Sequence, residues 1–176
     1  MPDVVIVSDT HLPARARTLP VDLWDAIGAA DVVVHAGDWL SGELLAAVTA
    51  RARLLLGCVG NNDDAVVRAA LPAVARATVG GVRVAVLHDS GPRTGRDGRL
   101  AAAYAADTDL VVFGHSHIPW DTTVAVGDPA HPRSLRLLNP GSPTDRRRQP
   151  VGTWLTARLG AGTVTDLVVH EVRPRP

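Results

Sequence analysis

Lysine is missing from this chain: all 18 basic residues are arginine, and 18 acidic residues balance them to a formal charge of zero. A neutral chain argues against stable binding to long nucleic acid, whose affinity comes largely from phosphate neutralisation. The absence of lysine beside abundant alanine, valine and arginine reads as the mark of a GC-rich genome rather than of a function. Cysteine is almost missing too. The single Cys58 excludes an internal disulfide framework and fits a reducing cytoplasm. It lies inside an apolar run, where it reads as a small core residue. Long apolar runs are also lacking, and none reaches the ~20 residues of a membrane span. Asp3 stands where a secretory signal would carry positive charge, so no membrane association is expected. What remains is an ordinary globular composition, 46% hydrophobic over 176 residues. It implies a single domain, residues 1–176, with a substantial core.

The stretch from Val4 to His11 organises the rest. Four β-branched apolar residues run into Ser8-Asp9-Thr10-His11, the pattern of a buried strand that delivers polar groups at its C-terminal tip. Side chains alternate along a strand, so Asp9 and His11 would point the same way, and a carboxylate with an imidazole suits a divalent cation. Residues 21–29 carry a short helical stripe in which Trp24 reads as a core anchor. Residues 31–38 repeat the opening pattern and end in Gly37-Asp38. Ser41 can cap a helix running to about residue 50, and Glu43 supports its positive end. A third apolar run, 54–59, leads into Gly60-Asn61-Asn62-Asp63, after which Asp63 or Asp64 caps a helix that stops before Pro72. Three successive strand–helix units imply parallel strands, with Asp9, Asp38 and Asn61 at neighbouring C-terminal ends, where open α/β sheets bind ligands.

The second half begins with a hairpin around Gly80-Gly81, whose second strand ends in His88-Asp89. An arginine-rich loop (Arg93, Arg96, Arg99) leads into an alanine-rich helix to about residue 106. Residues 109–113 form a buried strand ending in Gly114-His115-Ser116-His117. Runs at 122–126, 135–138, 153–159 and 163–172 read as a meander, with Asn139-Pro140-Gly141-Ser142 and Arg146-Arg147-Arg148 in a loop between two of them.

The polar strand ends, in order, are Asp9, His11, Asp38, Asn61, His88, His115 and His117. Four imidazoles, two carboxylates and an amide are too many donors for one tetrahedral ion and suit two ions sharing a bridge. This series resembles that of the calcineurin-like metallophosphoesterases: Asp-x-His, Gly-Asp, Gly-Asn, a lone His, then Gly-His-x-His. The Asn139-Pro140-Gly141-Ser142 segment is similar to that of the small bacterial and archaeal phosphodiesterase branch. The motif series runs from Ser8 to His117, and the resemblance covers about the first 142 residues. It implies a four-layer αββα sandwich of two mixed sheets flanked by helices. It also implies one ion on Asp9, His11, Asp38 and His117, and a second on Asp38, Asn61, His88 and His115, with Asp38 shared. Mixed nitrogen and oxygen donors favour Mn, the first expectation, or Fe, Zn or Ni. The implied activity is hydrolysis of a small phosphoester, most readily a phosphodiester, by a metal-bridging hydroxide at a net positive site. His88 and Asn62 are the candidate catalytic residues beside the ligands.

Other residues admit a bland reading beside a sharp one. Arg146 and its neighbours either hold substrate phosphate or form a solvated loop. Trp39 and Trp120 either wall the pocket or belong to the core. His35 reads as a packing residue behind the ligands, and His131 and His170 as solvated. A non-enzymatic scaffold on the same fold, or a nuclease, are the competing functions, and a homo-oligomer is compatible with either. At position 62 the wider superfamily often has His where this chain has Asn. An amide cannot titrate near neutral pH, so a general acid is missing there.

Overall fold

The computed structural model describes residues 1–128 and 130–172. Its opening strand, β1 (Asp3–Val7), shows the logic of the whole molecule. Successive side chains leave opposite faces of a strand, so Val4 and Ile6 enter one apolar cluster while Val5 and Val7 enter another. After β1 come α1 (Val21–Ala29), β2 (Val32–His35), α2 (Gly42–Arg51), β3 (Leu55–Gly57) and α3 (Ala65–Ala70). The chain continues through β4 (Val74–Val79), β5 (Val82–Leu87), α4 (Arg96–Tyr104), β6 (Leu110–Val112), β7 (Trp120–Val126), β8 (Arg133–Asn139), β9 (Gly152–Gly160) and β10 (Thr163–Val172).

Two five-stranded mixed sheets result, ordered β10-β9-β1-β2-β3 and β4-β5-β6-β8-β7. The cluster between them draws Val4, Ile6, Val34 and Leu155 from the first sheet and Val84, Val86, Val112 and Leu138 from the second. The first sheet's other face packs Val5, Val7 and Val33 under Leu23, Ile27, Leu45, Val48 and Val67 of α1, α2 and α3. The second sheet's outer face packs Ala85, Val111 and Leu137 under Leu100 of α4. This is the expected αββα sandwich. Among the described residues no helix is long and apolar enough to cross a membrane.

Helix starts follow local chemistry. Ser41 caps α2 by accepting the Leu44 N–H at 3.3 Å, and Asp64 caps α3 by accepting that of Val67 at 2.9 Å. Asp63, the alternative cap, does different work: its carboxylate accepts from Leu40 N–H at 2.9 Å and Gly60 N–H at 2.7 Å, tying two site loops together.

The expected meander needs correction. β7 and β8 form an antiparallel pair in the second sheet, whereas β9 and β10 pair in the first, with β9 against β1. β9 is almost wholly buried, and only a central place in the first sheet hides both of its faces. The chain therefore changes sheets between Asn139 and Gly152, and this crossing passes the ends of both sheets. His170 departs from its solvated reading as well. It stacks on Trp154 at 3.9 Å and bonds Thr156 Oγ1 at 2.8 Å, whereas His131 is exposed as expected.

Candidate metal centre

β1, β2 and β3 run parallel in the first sheet, and β5 and β6 run parallel in the second. Each releases one motif at its C-terminal end: Asp9 and His11 after β1, Asp38 after β2, Asn61 after β3, His88 after β5, His115 and His117 after β6. Direct bonds join the two sheets here. His88 Nδ1 meets the Ala36 carbonyl at 2.8 Å, and the His115 N–H donates to Asp9 Oδ2 at 3.0 Å.

All seven predicted residues converge, in two lobes. In one, His11 Nε2 lies 3.2 Å from His117 Nε2, 3.8 Å from Asp9 Oδ1 and 3.5 Å from Asp38 Oδ2, while His117 Nε2 lies 3.2 Å from Asp9 Oδ1. In the other, His88 Nε2 lies 2.9 Å from Asn61 Oδ1, 3.3 Å from His115 Nδ1 and 3.4 Å from Asp38 Oδ2. Asn61 Oδ1 and His115 Nδ1 are 3.0 Å apart. Asp38 Oδ2 belongs to both lobes.

These separations fit metal coordination. Donors ~2.1 Å from one ion stand roughly 3.0–3.4 Å apart around it. The donor set, imidazole nitrogens with carboxylate and amide oxygens, suits borderline divalent ions such as Mn, Fe, Zn or Ni. The ring orientations fit as well. His88 and His117 turn Nδ1 toward the carbonyls of Ala36 (2.8 Å) and Asp145 (2.5 Å), which leaves the Nε2 lone pairs facing the centre.

The backbone is bent to make this possible. Asp9, His11, Asp38, His115 and His117 all have positive φ, between 46° and 66°. Such conformations cost about 1–3 kcal/mol each and persist only where surroundings over-determine them. Ser142 Oγ donates to the Asp9 carbonyl at 2.7 Å, Thr144 Oγ1 to that of Thr10 at 2.5 Å, and Asn139 Nδ2 to that of Gly114 at 2.8 Å. Thus the Asn139–Ser142 segment, crossing between sheets, braces two ligand loops. Glycines make room: a Cβ on Gly60 would lie 2.2 Å from Asp38 Oδ1, and one on Gly114 would lie 2.0 Å from Ser8 Oγ and 2.8 Å from Asp9 Oδ2. In the sequence these residues read only as motif spelling, because their contacts join segments far apart in the chain.

Electrostatics follow from burial and crowding. Burial opposes ionisation of Asp38, but bonds from His88 and from the backbone and side chain of Asn62 outweigh it and hold the carboxyl well below its usual range. Burial lowers the pKa of His11 against the pull of Asp38 and Asp9. His88 is also penalised by burial, yet Asp38 and Asp9 raise it overall. His35 is held neutral by complete burial, stacks on Trp39 at 3.4 Å and meets Thr10 Oγ1 at 3.1 Å. Trp39 is fully buried with its indole N–H on the Cys58 carbonyl, so it belongs to the core, as does Cys58.

Two other candidates have partners outside the seven-residue cluster. Arg146 donates to the Gln149 carbonyl at 2.6 Å, within its own loop, while its neighbour Arg147 reaches the His115 carbonyl at 3.3 Å. Trp120 packs beside α4, with the guanidinium groups of Arg93 and Arg96 at 5.4 and 5.2 Å from its ring.

The family model for the calcineurin-like phosphoesterase superfamily domain matches residues 3–162. The chain belongs to that superfamily. A probable metallophosphoesterase of Methanothermobacter thermautotrophicus is 29% identical over 140 residues, covering 79% of this chain and 76% of the relative. Among solved structures, a Thermotoga maritima protein matches with a TM-score of 0.71 at 25% identity, over 98% of this calcineurin-like chain and 100% of the other. Vps29 of Entamoeba histolytica, solved in complex with zinc, matches with a TM-score of 0.70 over 96% of this chain and 98% of its own, at 18% identity, a likeness of fold.

Proposed function

We propose that this calcineurin-like protein is a phosphodiesterase for small substrates, working as a single domain with two divalent transition-metal ions, Mn first among them. One ion is held by Asp9, His11, Asp38 and His117, the other by Asp38, Asn61, His88 and His115. The observation that supports this reading is the position of Asp38 Oδ2, 3.5 Å from His11 Nε2 and 3.4 Å from His88 Nε2. One carboxylate oxygen within reach of both lobes is what a ligand shared by two ions would require. When bound, such ions lower the pKa of a water between them toward neutrality and neutralise phosphoryl oxygens.

The chain's own residues do the rest. Ser8 donates to Asp9 Oδ2 at 2.6 Å, fixing that carboxylate with Oδ1 toward the two imidazoles. His88 is fixed through Nδ1 on the Ala36 carbonyl, which leaves its Nε2 facing Asn61 and Asp38. In hydrolysis a water oxygen bonds to phosphorus as the bond to the alkoxide or phenolate breaks, and Asn62 can offer that leaving oxygen a hydrogen bond but no proton. The leaving group therefore takes its proton from solvent, which favours good leaving groups. Arg147, poised over the His115 carbonyl, and Arg146 beside it supply positive charge at the rim. The lone buried Cys58 fits the cytoplasm.

The deciding experiment is turnover of bis-p-nitrophenyl phosphate by the purified protein after chelation and reloading with Mn, Zn, Ni or Fe. Turnover that returns with metal and disappears in Asp38→Ala supports the reading. A fully loaded protein that turns over neither diesters nor monoesters would sink it. The second reading, a non-catalytic metal-binding scaffold, is favoured by the fold shared with Vps29, and that outcome would select it.

A further inference from the structure

Arg96 opens α4 and is only 7% exposed, yet its side chain has neither an ion pair nor a hydrogen bond among the described residues; its Nε is buried without a partner. Asp97 and Asp89 attract it only through space, with Arg93 and Arg99 opposing them, and a buried charge without a bonded partner is destabilising. Its guanidinium lies 4.9 Å from the Phe113 ring and 5.2 Å from that of Trp120, contacts weaker than the charge-assisted bonds it lacks. Something is owed to this cation.

The surroundings are built for an anion. Arg96, Arg93, Thr94, Gly95 and Trp120 line one cavity of about 480 Å³. It opens on the N-terminus of a nine-residue helix whose Gly95 cap supplies no side-chain acceptor. The Arg96 N–H is taken by the Arg93 carbonyl at 3.2 Å, and the N–H groups of Asp97 and Gly98 that follow it lie at the positive end of the helix dipole. The loop carrying Arg93 is braced, since Arg99 donates to the carbonyls of Ser90 (3.2 Å), Thr94 (2.7 Å) and Pro92. One group opposes a fully ionised ligand: the Asp97 carboxylate also lines the cavity. An oxyanion that keeps one proton, as hydrogen phosphate does, satisfies the arginines and Asp97 together.

We infer that the cavity at the start of α4 is an oxyanion site, for a phosphate-type group bound by the guanidinium groups of Arg96 and Arg93 and the N–H groups of Asp97 and Gly98. It is separate from the metal lobes but close to them: Trp120 follows His117 by three residues, which limits their Cα separation to roughly 10 Å. The anion is either free phosphate or a second acidic group of a substrate whose phosphoester lies on the metals. The latter source rests on the function proposed above; the binding itself does not.

The test uses the full metal-loaded chain and inorganic phosphate, followed by calorimetric titration in three proteins. Wild type, Asp38→Asn and Arg96→Met separate the two sites. The inference expects a binding event that survives in Asp38→Asn and weakens at least tenfold in Arg96→Met. Arg96→Met should remain folded and melt no lower than wild type without phosphate, because it removes an unpaired buried charge. Arg93→Ala, at an exposed position, serves as the second variant and should weaken the same event severalfold. Loss of all phosphate binding in Asp38→Asn, or unchanged binding in folded Arg96→Met, overturns the site. Kinetics then identify the source. A KM that rises in Arg96→Met only for a substrate with a carboxylate on its leaving group marks a substrate contact, and an unchanged KM marks free phosphate. Failure of turnover in every protein would fault the proposed activity and leave the titration to decide the anion site.

Discussion

Asn62 grips both oxygens of Asp38: its backbone N–H donates to Oδ1 at 2.9 Å and its side-chain amide to Oδ2 at 2.7 Å. The residue that stands where the superfamily often has His is thus bonded to the carboxylate shared by the two lobes. An amide here orients Asp38 but cannot protonate a leaving group.

Two substitutions separate those roles. Asn62→Ala should weaken metal binding about 10- to 100-fold, the usual effect of removing a group that orients a ligand. Asn62→His should accelerate alkyl esters more than nitrophenyl esters, by up to the ~10²–10⁴-fold that a general acid supplies. A gain independent of leaving-group pKa, measured across a series of esters, would show that an acid missing at position 62 does not set specificity.

Metal content should divide along the lobes. Asp38→Ala is expected to lose both ions, His117→Ala mainly the first and Asn61→Ala mainly the second, read by elemental analysis of purified protein. Two metals per chain retained by Asp38→Ala would remove its bridging role.

Gly60→Ala and Gly114→Ala should behave like ligand losses although neither removes a donor. Their Cβ atoms would lie 2.2 Å from Asp38 Oδ1 and 2.0 Å from Ser8 Oγ, so the carboxylates must move. Metal affinity is expected to fall at least tenfold in each, and unchanged affinity would show that the loops yield freely.

Metal removal should destabilise the fold. Five bent site residues and the paired carboxylates are held together more firmly when cations join them. At a free metal concentration ~1,000-fold above Kd, binding contributes about 4 kcal/mol. For a chain of this size that corresponds to a Tm roughly 8–16 °C above that in chelator. Calorimetry with and without chelator measures it, and no shift would mean no metal prefers the folded state.

Away from the site, Asp109 gives a pH prediction. Bonds from Arg83, then burial opposing them, then bonds from Arg83 N–H and Arg133 leave its carboxyl pushed down to about 2. A depressed carboxyl stabilises the fold above its unfolded pKa of about 4, and that stability is lost as pH falls from about 4 toward 2. After discounting for solvent screening, the contribution is on the order of 1 kcal/mol. Asp109→Asn should therefore melt lower than wild type at pH 7 and converge with it near pH 2, as followed by thermal denaturation at each pH.

The sequence alone determined the strand–helix alternation, most element bounds and all seven metal-site candidates. Those features are local: β-branched runs, caps such as Ser41, and polar residues where a buried strand must end. It also left choices that only the tertiary structure decided. Asp63 and Asp64 are both able to cap α3, and only the approach of Leu40 and Gly60 assigns Asp63 to the loops. β9 reads as one more strand of a meander until its two buried faces are seen to need the centre of the other sheet. The contacts of Ser142 with Asp9 and of Asn139 with Gly114 join segments far apart in the chain, so no local pattern announces them. The unpaired charge of Arg96 is likewise invisible in an arginine-rich loop, because a charge becomes costly only once packing has taken its water away.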